Sequence, residues 1–403
     1  MHILLIHQAF ATLDEPGGTR HHELARRLVG SGHRVTVIAS PVSYLTGAAT
    51  RQAQPGSSAE EGITILRAYA TRAIHRSFVH RMIGFFSFMW SSFWTGVRVR
   101  DVDLVWGTSP PIFQGLTAFL LARLKGVPFL FEVRDLWPAF AVQVGVLRNP
   151  FLIWLSEGLE RFLYRNADQL MVNSPGFIEH VKSRGARQVA LIPNGADPLM
   201  FDPAADGQNF RQAHQLGDQF IALYAGAHGM SNDLGIILEA AHALRATPGI
   251  CFVLLGDGKE KPALQQRARE LNLTNLRFLP SIPKTAMPQA LAAADACIAI
   301  LKPIPLYATV YPNKVFDYMA AGRPLIMAID GVARQVVEQA KAGIFCPPGN
   351  PARLAEAVRE LAADPVRARQ MGANGRRYIE EHFDRAELAR QLVQLIEMLG
   401  GRR

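Results

Sequence analysis

The feature that most constrains the fold is a regular alternation of short apolar runs of strand length with amphipathic helical patterns along nearly the whole chain. This alternation is typical of βαβ units, whose parallel strands form sheets covered by helices. In the first half the predicted strands are residues 2–7, 34–39, 63–68, 104–107, 129–133, 169–173 and 189–193. In the second half they are residues 220–225, 251–255, 276–278, 296–301, 325–328 and 343–346.

The length of the chain, 403 residues, exceeds what one hydrophobic core usually holds, so we expect two domains. A polar stretch, residues 201–217, separates the two series of strands and is interpreted as a linker. We therefore predict an α/β fold with two Rossmann-like parallel-sheet domains, residues 1–200 and 201–383, that face a central cleft. Residues 384–403 contain an amphipathic helix, which we expect to pack back toward the first domain.

The composition excludes several classes of protein. An apolar fraction of 49% with 19% charged residues is typical of a folded chain and excludes a disordered one. Three scattered cysteines form neither a disulfide framework nor a CxxC metal motif, which favours a reducing, cytoplasmic compartment. The first residues lack the features of a signal peptide. The net charge is +9, but no nucleic-acid-binding motif accompanies it, so we expect no nucleic-acid partner.

Positive charge is concentrated around an aromatic stretch. The uncharged run 82–97 is shorter than the ~20 apolar residues of a transmembrane helix, and arginines flank it. Two interpretations remain open: a helix lying in a membrane interface beside anionic lipid, or a core helix with solvated ends. The residues assigned to the membrane or to a lipid-borne acceptor are Arg76, Arg81, Phe85, Phe86, Trp90 and Trp94.

Two junctions between a strand and a helix in the first half carry candidate site residues. Gly17 and Gly18 follow the first strand and would let backbone N–H groups approach an anion or a sugar closely, although the loop also fits a simple turn. Glu132, Arg134 and Asp135 stand where another strand ends. Arg134 could steady an anion while either carboxylate accepts a hydroxyl hydrogen bond; a buried structural ion pair is the alternative.

Two further junctions lie in the second half. Gly256 and Gly258 follow a strand but lack the third glycine of the dinucleotide fingerprint, so NAD binding is poorly supported. Lys314 stands in the first turn of a predicted helix, whose N-terminus favours phosphate, and Asp317 follows on nearly the same face. This pair could hold a diphosphate and a ribose hydroxyl, or it could be a surface salt bridge.

Together these motifs resemble the retaining glycosyltransferases of family four, which have the GT-B fold. The resemblance covers nearly the whole chain, including the loop at Pro16-Gly17-Gly18, the segment Pro193-Asn194-Gly195-Ala196-Asp197, and the stretch from Lys314 to Pro324. The sequences Arg-Asp-Leu-Trp-Pro and Pro-Asn-Lys-Val-Phe-Asp-Tyr-Met-Ala-Ala-Gly are similar to those of the N-acetylfucosaminyl transferase branch of bacterial surface-polysaccharide synthesis.

The resemblance implies a donor site for a nucleotide-diphosphate sugar, expected to be UDP-linked, and a polyprenyl-diphosphate-linked acceptor. It implies no cofactor and no metal, and it places the enzyme on the inner face of the cytoplasmic membrane. The implied catalytic residues are Lys314, Arg134, Asp135 and Glu132. The implied donor-binding residues are Gly17, Gly18, Gly226, His228, Gly256, Gly258, Thr309, Asn313, Lys314 and Asp317.

The chain departs from the family pattern at several of these positions. Thr309 and Asp317 replace the two glutamates of a Glu-x7-Glu motif, and Ala227 and Asn232 stand where an Arg and a Lys are common. We therefore expect Lys314 to provide most of the positive charge that stabilises the diphosphate, with Arg134 or His228 assisting. Arg134 also replaces a His, and because Arg keeps its proton it cannot act as a base.

These departures keep two alternatives to a glycosyltransferase open. One is an NDP-sugar 2-epimerase of the same fold. The other is a membrane-surface scaffold that has lost its catalytic site.

Overall fold

The computed structural model describes residues 1–15, 17–42, 57–71 and 78–401. These residues form two compact units. The N-terminal unit comprises Met1–Pro193 together with the segment that begins at Ala386, and the C-terminal unit comprises Asn194–Arg385. The chain thus leaves the N-terminal unit slightly before the boundary expected from the sequence, and its last helix belongs to that unit.

The N-terminal unit is built on an eight-stranded sheet in the order β3-β4-β2-β1-β5-β6-β7-β8. All neighbouring strands are parallel except β3, which runs antiparallel to β4 at the edge. The strands are β1 (His2–Ile6), β2 (Arg34–Ala39), β3 (Ser57–Glu60), β4 (Ile63–Arg67), β5 (Leu104–Ser109), β6 (Phe129–Val133), β7 (Gln169–Val172) and β8 (Val189–Leu191). The helices are α1 (Arg20–Gly30), α2 (Phe78–Arg98), α3 (Phe113–Lys125), α4 (Ala139–Gln143), α5 (Pro150–Asn166) and α6 (Ile178–Ser183).

The C-terminal unit is built on a six-stranded, wholly parallel sheet in the order β11-β10-β9-β12-β13-β14. Its strands are β9 (Phe220–Ala225), β10 (Ile250–Leu255), β11 (Leu276–Leu279), β12 (Ala296–Ile300), β13 (Leu325–Ala328) and β14 (Gly343–Phe345). Its helices are α7 (Gln208–Ala213), α8 (Gly235–Ala243), α9 (Lys261–Glu270), α10 (Met287–Ala292), α11 (Asn313–Ala320), α12 (Val332–Gln339), α13 (Pro351–Ala363) and α14 (Pro365–His382). The last helix, α15 (Arg385–Gly400), packs into the core of the N-terminal unit.

The central strands are buried on both faces, which explains why the sequence reads as continuous apolar runs rather than alternating ones. Every residue of β1, β6, β10 and β12 is buried. In each unit a strand's carboxyl end leads into a loop and then a helix N-terminus, so the polar residues of these junctions gather at one edge of the sheet. The predicted parallel-sheet architecture is confirmed.

Three elements differ from the expectation. The edge strand β3 was not predicted. The stretch 201–217 is more than a linker, because it contains α7, and Phe201 is fully buried in the core. Helix α14 was not predicted, because its apolar pattern is weak: three of its buried residues, Ala368, Gly372 and Gly375, are small.

Candidate active site

Lys314 lies in the first turn of α11 and points at the end of β9. Its ammonium nitrogen donates to Tyr224 Oη at 2.7 Å, lies 3.5 Å from Asn232 Oδ1, and sits 3.9 Å from the centre of the Tyr224 ring. Burial lowers the pKa of Lys314 to about 7, because these neutral groups compensate little of its lost hydration. The side chain is therefore a poorly neutralised cation at a helix N-terminus, an arrangement that favours an anionic ligand.

Asp317, one turn further along α11, forms its ion pair with another element. Its Oδ2 lies 2.5 Å from Lys284 Nζ, and that ammonium also lies 4.9 Å from the centre of the Phe201 ring. Lys284 stands in the loop after β11 and was not identified from the sequence. The ion pair that involves Asp317 is thus formed with Lys284, whereas Lys314 contacts Tyr224.

Three glycines bring the loops after β9 and β10 into close contact. Gly226, Gly256 and Gly258 have φ values of +148°, +146° and +152°, which side-chain-bearing residues rarely adopt. A Cβ on Gly226 would lie 2.8 Å from Lys314 Nζ, and one on Gly256 would overlap the carbonyl oxygen of Gly226. The glycines are therefore required for the close approach that surrounds the Lys314 ammonium.

His228 lies between these loops and is fully buried. Burial, reinforced by the charge of Lys261, lowers its pKa to about 4, so the imidazole is neutral at pH 7. The described residues give neither ring nitrogen a hydrogen-bond partner. His228 is thus a buried, neutral group with two unsatisfied ring nitrogens beside the glycine loops, whereas the assisting cation expected at this position is absent at neutral pH.

Two other predicted donor residues and one residue that the sequence did not single out complete this region. Thr309 donates through Oγ1 to the carbonyl of Leu306 at 2.6 Å, so its hydroxyl supports the turn before α11. Asn313, the first residue of α11, has a buried Oδ1 without a hydrogen-bond partner in the described part of the chain. Lys261 fastens the glycine loop by donating to Gly256 O at 2.7 Å and to Leu279 O at 3.0 Å.

In the N-terminal unit, Glu132 at the end of β6 is enclosed by cationic and imidazole groups. One oxygen lies 3.0 Å from Arg20 Nε and the other 2.5 Å from His21 Nε2. Burial opposes ionisation of Glu132, but His21 and Arg20 outweigh it and lower the pKa of the carboxyl group. Because Glu132 is fully buried and both of its oxygens are engaged, the structure supports the ion-pair interpretation for this residue over the catalytic one.

Arg134 and Asp135 lie just beyond Glu132 and are only partly buried. Arg134 donates to Thr108 Oγ1 at 2.8 Å and to His7 Nε2 at 3.1 Å. Burial raises the pKa of Asp135 to about 7, against a smaller opposing effect of the Arg134 charge. This edge of the sheet thus combines a fixed cation with a carboxyl group that titrates near neutral pH, and His7, at the end of β1, is an addition to the predicted set.

The loop before α1 contains the remaining predicted glycines. Gly17 has a φ of +154°, and a Cβ there would lie 3.0 Å from the Cβ of Ala11. A Cβ on Gly18 would meet nothing within 4 Å, so this glycine leaves open space beside the loop. Only Gly17 is therefore required by the local backbone.

The residues assigned to a membrane surface divide into two groups. Phe86, Trp90 and Trp94 are exposed, and Arg81 is partly so. Phe85 is only 9% exposed and packs toward Phe113 of α3, 6.1 Å between ring centres, so its assignment to the membrane is wrong. Arg76 lies outside the described residues.

Two glycosyltransferase family models match the chain. The glycosyl transferase 4-like domain matches residues 17–195, and the model for glycosyl transferases group 1 matches residues 219–364. The first match corresponds closely to the N-terminal unit and the second lies within the C-terminal unit. Together they cover the elements that carry Arg134, Asp135 and Lys314.

Relatives and solved structures agree with these models. WcaI of Escherichia coli K12, a glycosyl transferase whose name assigns it to colanic acid biosynthesis, is 25% identical over 392 residues, 92% of this chain and 93% of WcaI. Sucrose-phosphate synthase from Thermosynechococcus elongatus superimposes with a TM-score of 0.81 at 20% identity over 100% of both chains. Anabaena HepE, solved with UDP-glucose, gives a TM-score of 0.73 at 16% identity over 99% of this chain and 100% of its own. The predicted GT-B fold is confirmed.

Proposed function

The chain belongs to the GT-B glycosyltransferases, and on that premise we propose that it transfers a sugar, with retention of anomeric configuration, from a UDP-sugar to a lipid-diphosphate-linked saccharide. The transferred sugar is an N-acetylated hexose or deoxyhexose, and the product serves the synthesis of a cell-surface polysaccharide. The reaction takes place at the inner face of the cytoplasmic membrane and uses no metal. The observation that carries the proposal is the partly buried ammonium of Lys314 at the N-terminus of α11.

Lys314 stabilises the negative charge of the leaving diphosphate. Breaking the bond between the anomeric carbon and the phosphate oxygen places negative charge on that oxygen, and a pre-positioned cation stabilises it most where water is excluded. Lys314 is partly buried, and a Cβ on Gly226 would lie only 2.8 Å from its nitrogen. The amide groups at the start of α11 and the unpartnered Asn313 oxygen add polar groups beside the same site.

Asp317 is the residue to which we assign binding of the nucleoside. Its carboxylate is held by Lys284 at 2.5 Å, a contact that fixes the orientation of a side chain shorter than the glutamate of the family motif. We propose that Asp317 accepts a hydrogen bond from the ribose. The choice of uracil rests on structural relatives such as HepE, which was solved with UDP-glucose.

The acceptor is assigned to Arg134 and Asp135. Arg134 supplies a permanent cation for the acceptor's diphosphate, and Asp135 accepts a hydrogen bond from an acceptor hydroxyl. During transfer, the acceptor oxygen bonds to the anomeric carbon on the face from which the diphosphate departs. The acceptor's proton passes to the departing phosphate oxygen, so that no separate base is needed. A lipid-borne acceptor is supported by the exposed aromatic residues of α2, and a role in polysaccharide synthesis is supported by the relationship to WcaI.

The test is sugar transfer from a panel of UDP-sugars to a synthetic polyprenyl-diphosphate saccharide, with the product's anomeric configuration read by NMR. We expect a product with the donor's configuration, and Lys314→Ala should lower kcat by about 10²–10³. The exposed Lys182 on α6 provides the control, because Lys182→Ala removes a cation without touching the site. Inversion of configuration, unchanged turnover in folded Lys314→Ala, or conversion of the free UDP-sugar to its 2-epimer would contradict the proposal.

A further inference from the structure

Three helices of the N-terminal unit lie side by side on one face of its sheet. Helix α2 packs on α3, where Thr117 Oγ1 donates to Met89 O at 3.2 Å and the Phe86 and Phe113 ring centres are 4.9 Å apart. Helix α3 packs on α5 through the Phe119 and Phe162 rings, with centres 4.9 Å apart. The outward sides of α2, α3 and α5 therefore form one continuous surface, which we call the three-helix face.

On α2 the outward side is apolar. Ile83, Phe86, Trp90 and Trp94 are all exposed, Trp90 by 65%, and their spacing of three or four residues places them in one stripe. The inward side is occupied separately: Phe88 and Ser92 are buried, and Gly96 lets Leu121 of α3 approach. The fold is thus complete without the exposed stripe.

On α5 the same pattern recurs, and the sequence did not reveal it. Phe151 and Trp154 are each 65% exposed, and Leu155 is 53% exposed. The helix carries two glutamates, but both point to partners: Glu157 pairs with Arg161, and Glu160 is fully buried against Arg184. Its outward side at the N-terminal end is therefore large, apolar and uncharged.

Charge on the three-helix face is mainly positive, and its partly exposed Glu157 is paired with Arg161. Helices α2 and α3 contain no Asp or Glu. Arginines lie exposed at its margins, with Arg98 at the end of α2, Arg123 on α3 and Arg165 on α5. Large exposed apolar surfaces are rare on soluble monomers and mark an interaction site, and α2 and α5 each present one on this face. Aromatic side chains bordered by arginines match the boundary between the acyl chains and anionic headgroups of a bilayer.

We propose that the three-helix face docks on an anionic lipid bilayer, with the apolar side chains of α2 and α5 inserted and the marginal arginines on lipid phosphates. The proposal deepens the proposed function by naming the membrane partner, and it rests on that function only for the identity of the acceptor. None of the described helices is long and apolar enough to cross a bilayer, so the attachment proposed is peripheral.

The test is flotation of the full chain with vesicles of phosphatidylglycerol and phosphatidylcholine, or of phosphatidylcholine alone. We expect binding to the anionic vesicles that weakens as salt is raised. The triple variant Phe151→Ser, Trp154→Ser, Leu155→Ser should lose at least about tenfold in partitioning, because each buried apolar side chain contributes to insertion. The matched control changes three exposed apolar residues elsewhere: Leu199→Ser, Val366→Ser and Met398→Ser.

Three results would overturn the docking proposal. These are no binding by the folded wild-type chain, wild-type binding by the α5 variant, and equal loss in the control. A wild-type dimer in solution that the α5 variant converts to a monomer, without vesicle binding, would assign the face to a second copy instead. The UDP-induced change in melting temperature, recorded on the same samples, separates these outcomes from failure of the donor site.

Discussion

At the scale of single residues, the proposed donor site contains a cation, Lys314, whose ammonium group is held among neutral groups. Lys314 contacts the neutral Tyr224 hydroxyl and ring, and burial lowers its pKa to about 7. His228 is neutral at the same pH and cannot share the charge. An anion bound beside Lys314 therefore favours the protonated, positively charged form of this side chain.

This coupling predicts a pH dependence for binding of UDP. A bound diphosphate raises the pKa of Lys314, so binding takes up a proton, and affinity falls as pH rises above the free-state pKa of about 7. From about pH 7 to about pH 9 we expect the Kd to increase by up to about tenfold per pH unit. Calorimetry in two buffers of different ionisation enthalpy measures both the Kd and the proton uptake. Lys314→Met should bind weakly without proton uptake; a wild-type Kd independent of pH would show that Lys314 is already fully protonated.

Candidate residues at junctions between strands and helices could be identified from the sequence, whereas most of their partners in the folded structure could not. Lys314, Gly256 and Asp135 stand at junctions between strands and helices, which parallel-sheet folds place at one edge. Lys284 and His7 were missed because their partners, Asp317 and Arg134, are distant in the sequence. Lys261 was missed because it binds backbone carbonyls, which the sequence pattern does not reveal. Glu132 was placed at the right edge, but its enclosure by Arg20 and His21 depends on packing that a linear pattern does not show.

At the scale of elements, the loops after β9 and β10 act as a pair. A Cβ on Gly256 would overlap Gly226 O, and one on Gly258 would lie 2.5 Å from His228 O. Both glycines also adopt φ values that other residues rarely adopt. The pair therefore holds the backbone near Lys314 at a separation that tolerates no side chain.

We accordingly predict that Gly256→Ala destabilises the C-terminal unit by about 2 kcal/mol or more and weakens UDP binding. Denaturant unfolding and UDP titration measure the two effects. Gly235→Ala, in the first turn of α8, is the matched control because a Cβ there meets nothing within 4 Å. Equal stability and UDP affinity in both variants would show that the two loops can separate without cost.

In the helices, the sequence pattern did not predict which apolar side chains are exposed. The aromatic stretch of α2 was interpreted as either membrane-facing or core, and the structure divides it: Phe85 and Phe88 pack inward while Trp90 and Trp94 face out. On α5 the exposure of Phe151 and Trp154 was not predicted, because an apolar residue in a sequence is equally consistent with a place in the core. Exposure distinguishes the two, and it depends on which neighbours cover a face.

At the scale of the whole molecule, the two parallel sheets could be predicted because strands buried on both faces are continuously apolar. The boundary between the units and the return of α15 follow from tertiary packing, so the sequence predicted them only approximately. The fold is shared with sucrose-phosphate synthase and HepE, which the chain covers almost completely. Because one fold serves many substrates, we expect the substrate of this chain to be set by side chains such as Asp317, Lys284 and Arg134 rather than by the architecture.

The most direct test that Lys314 binds the diphosphate of a UDP-sugar is the melting temperature of the protein with UDP, GDP, dTDP or NAD. It is measured for the wild type and for Lys314→Ala. A ligand at about 100 times its Kd adds about 2.7 kcal/mol to the free energy of unfolding, which is readily detected. We expect a clear increase with UDP, a smaller one or none with the other three, and loss of the UDP effect in Lys314→Ala. No increase with any nucleoside diphosphate, or an increase with NAD alone, would contradict this expectation.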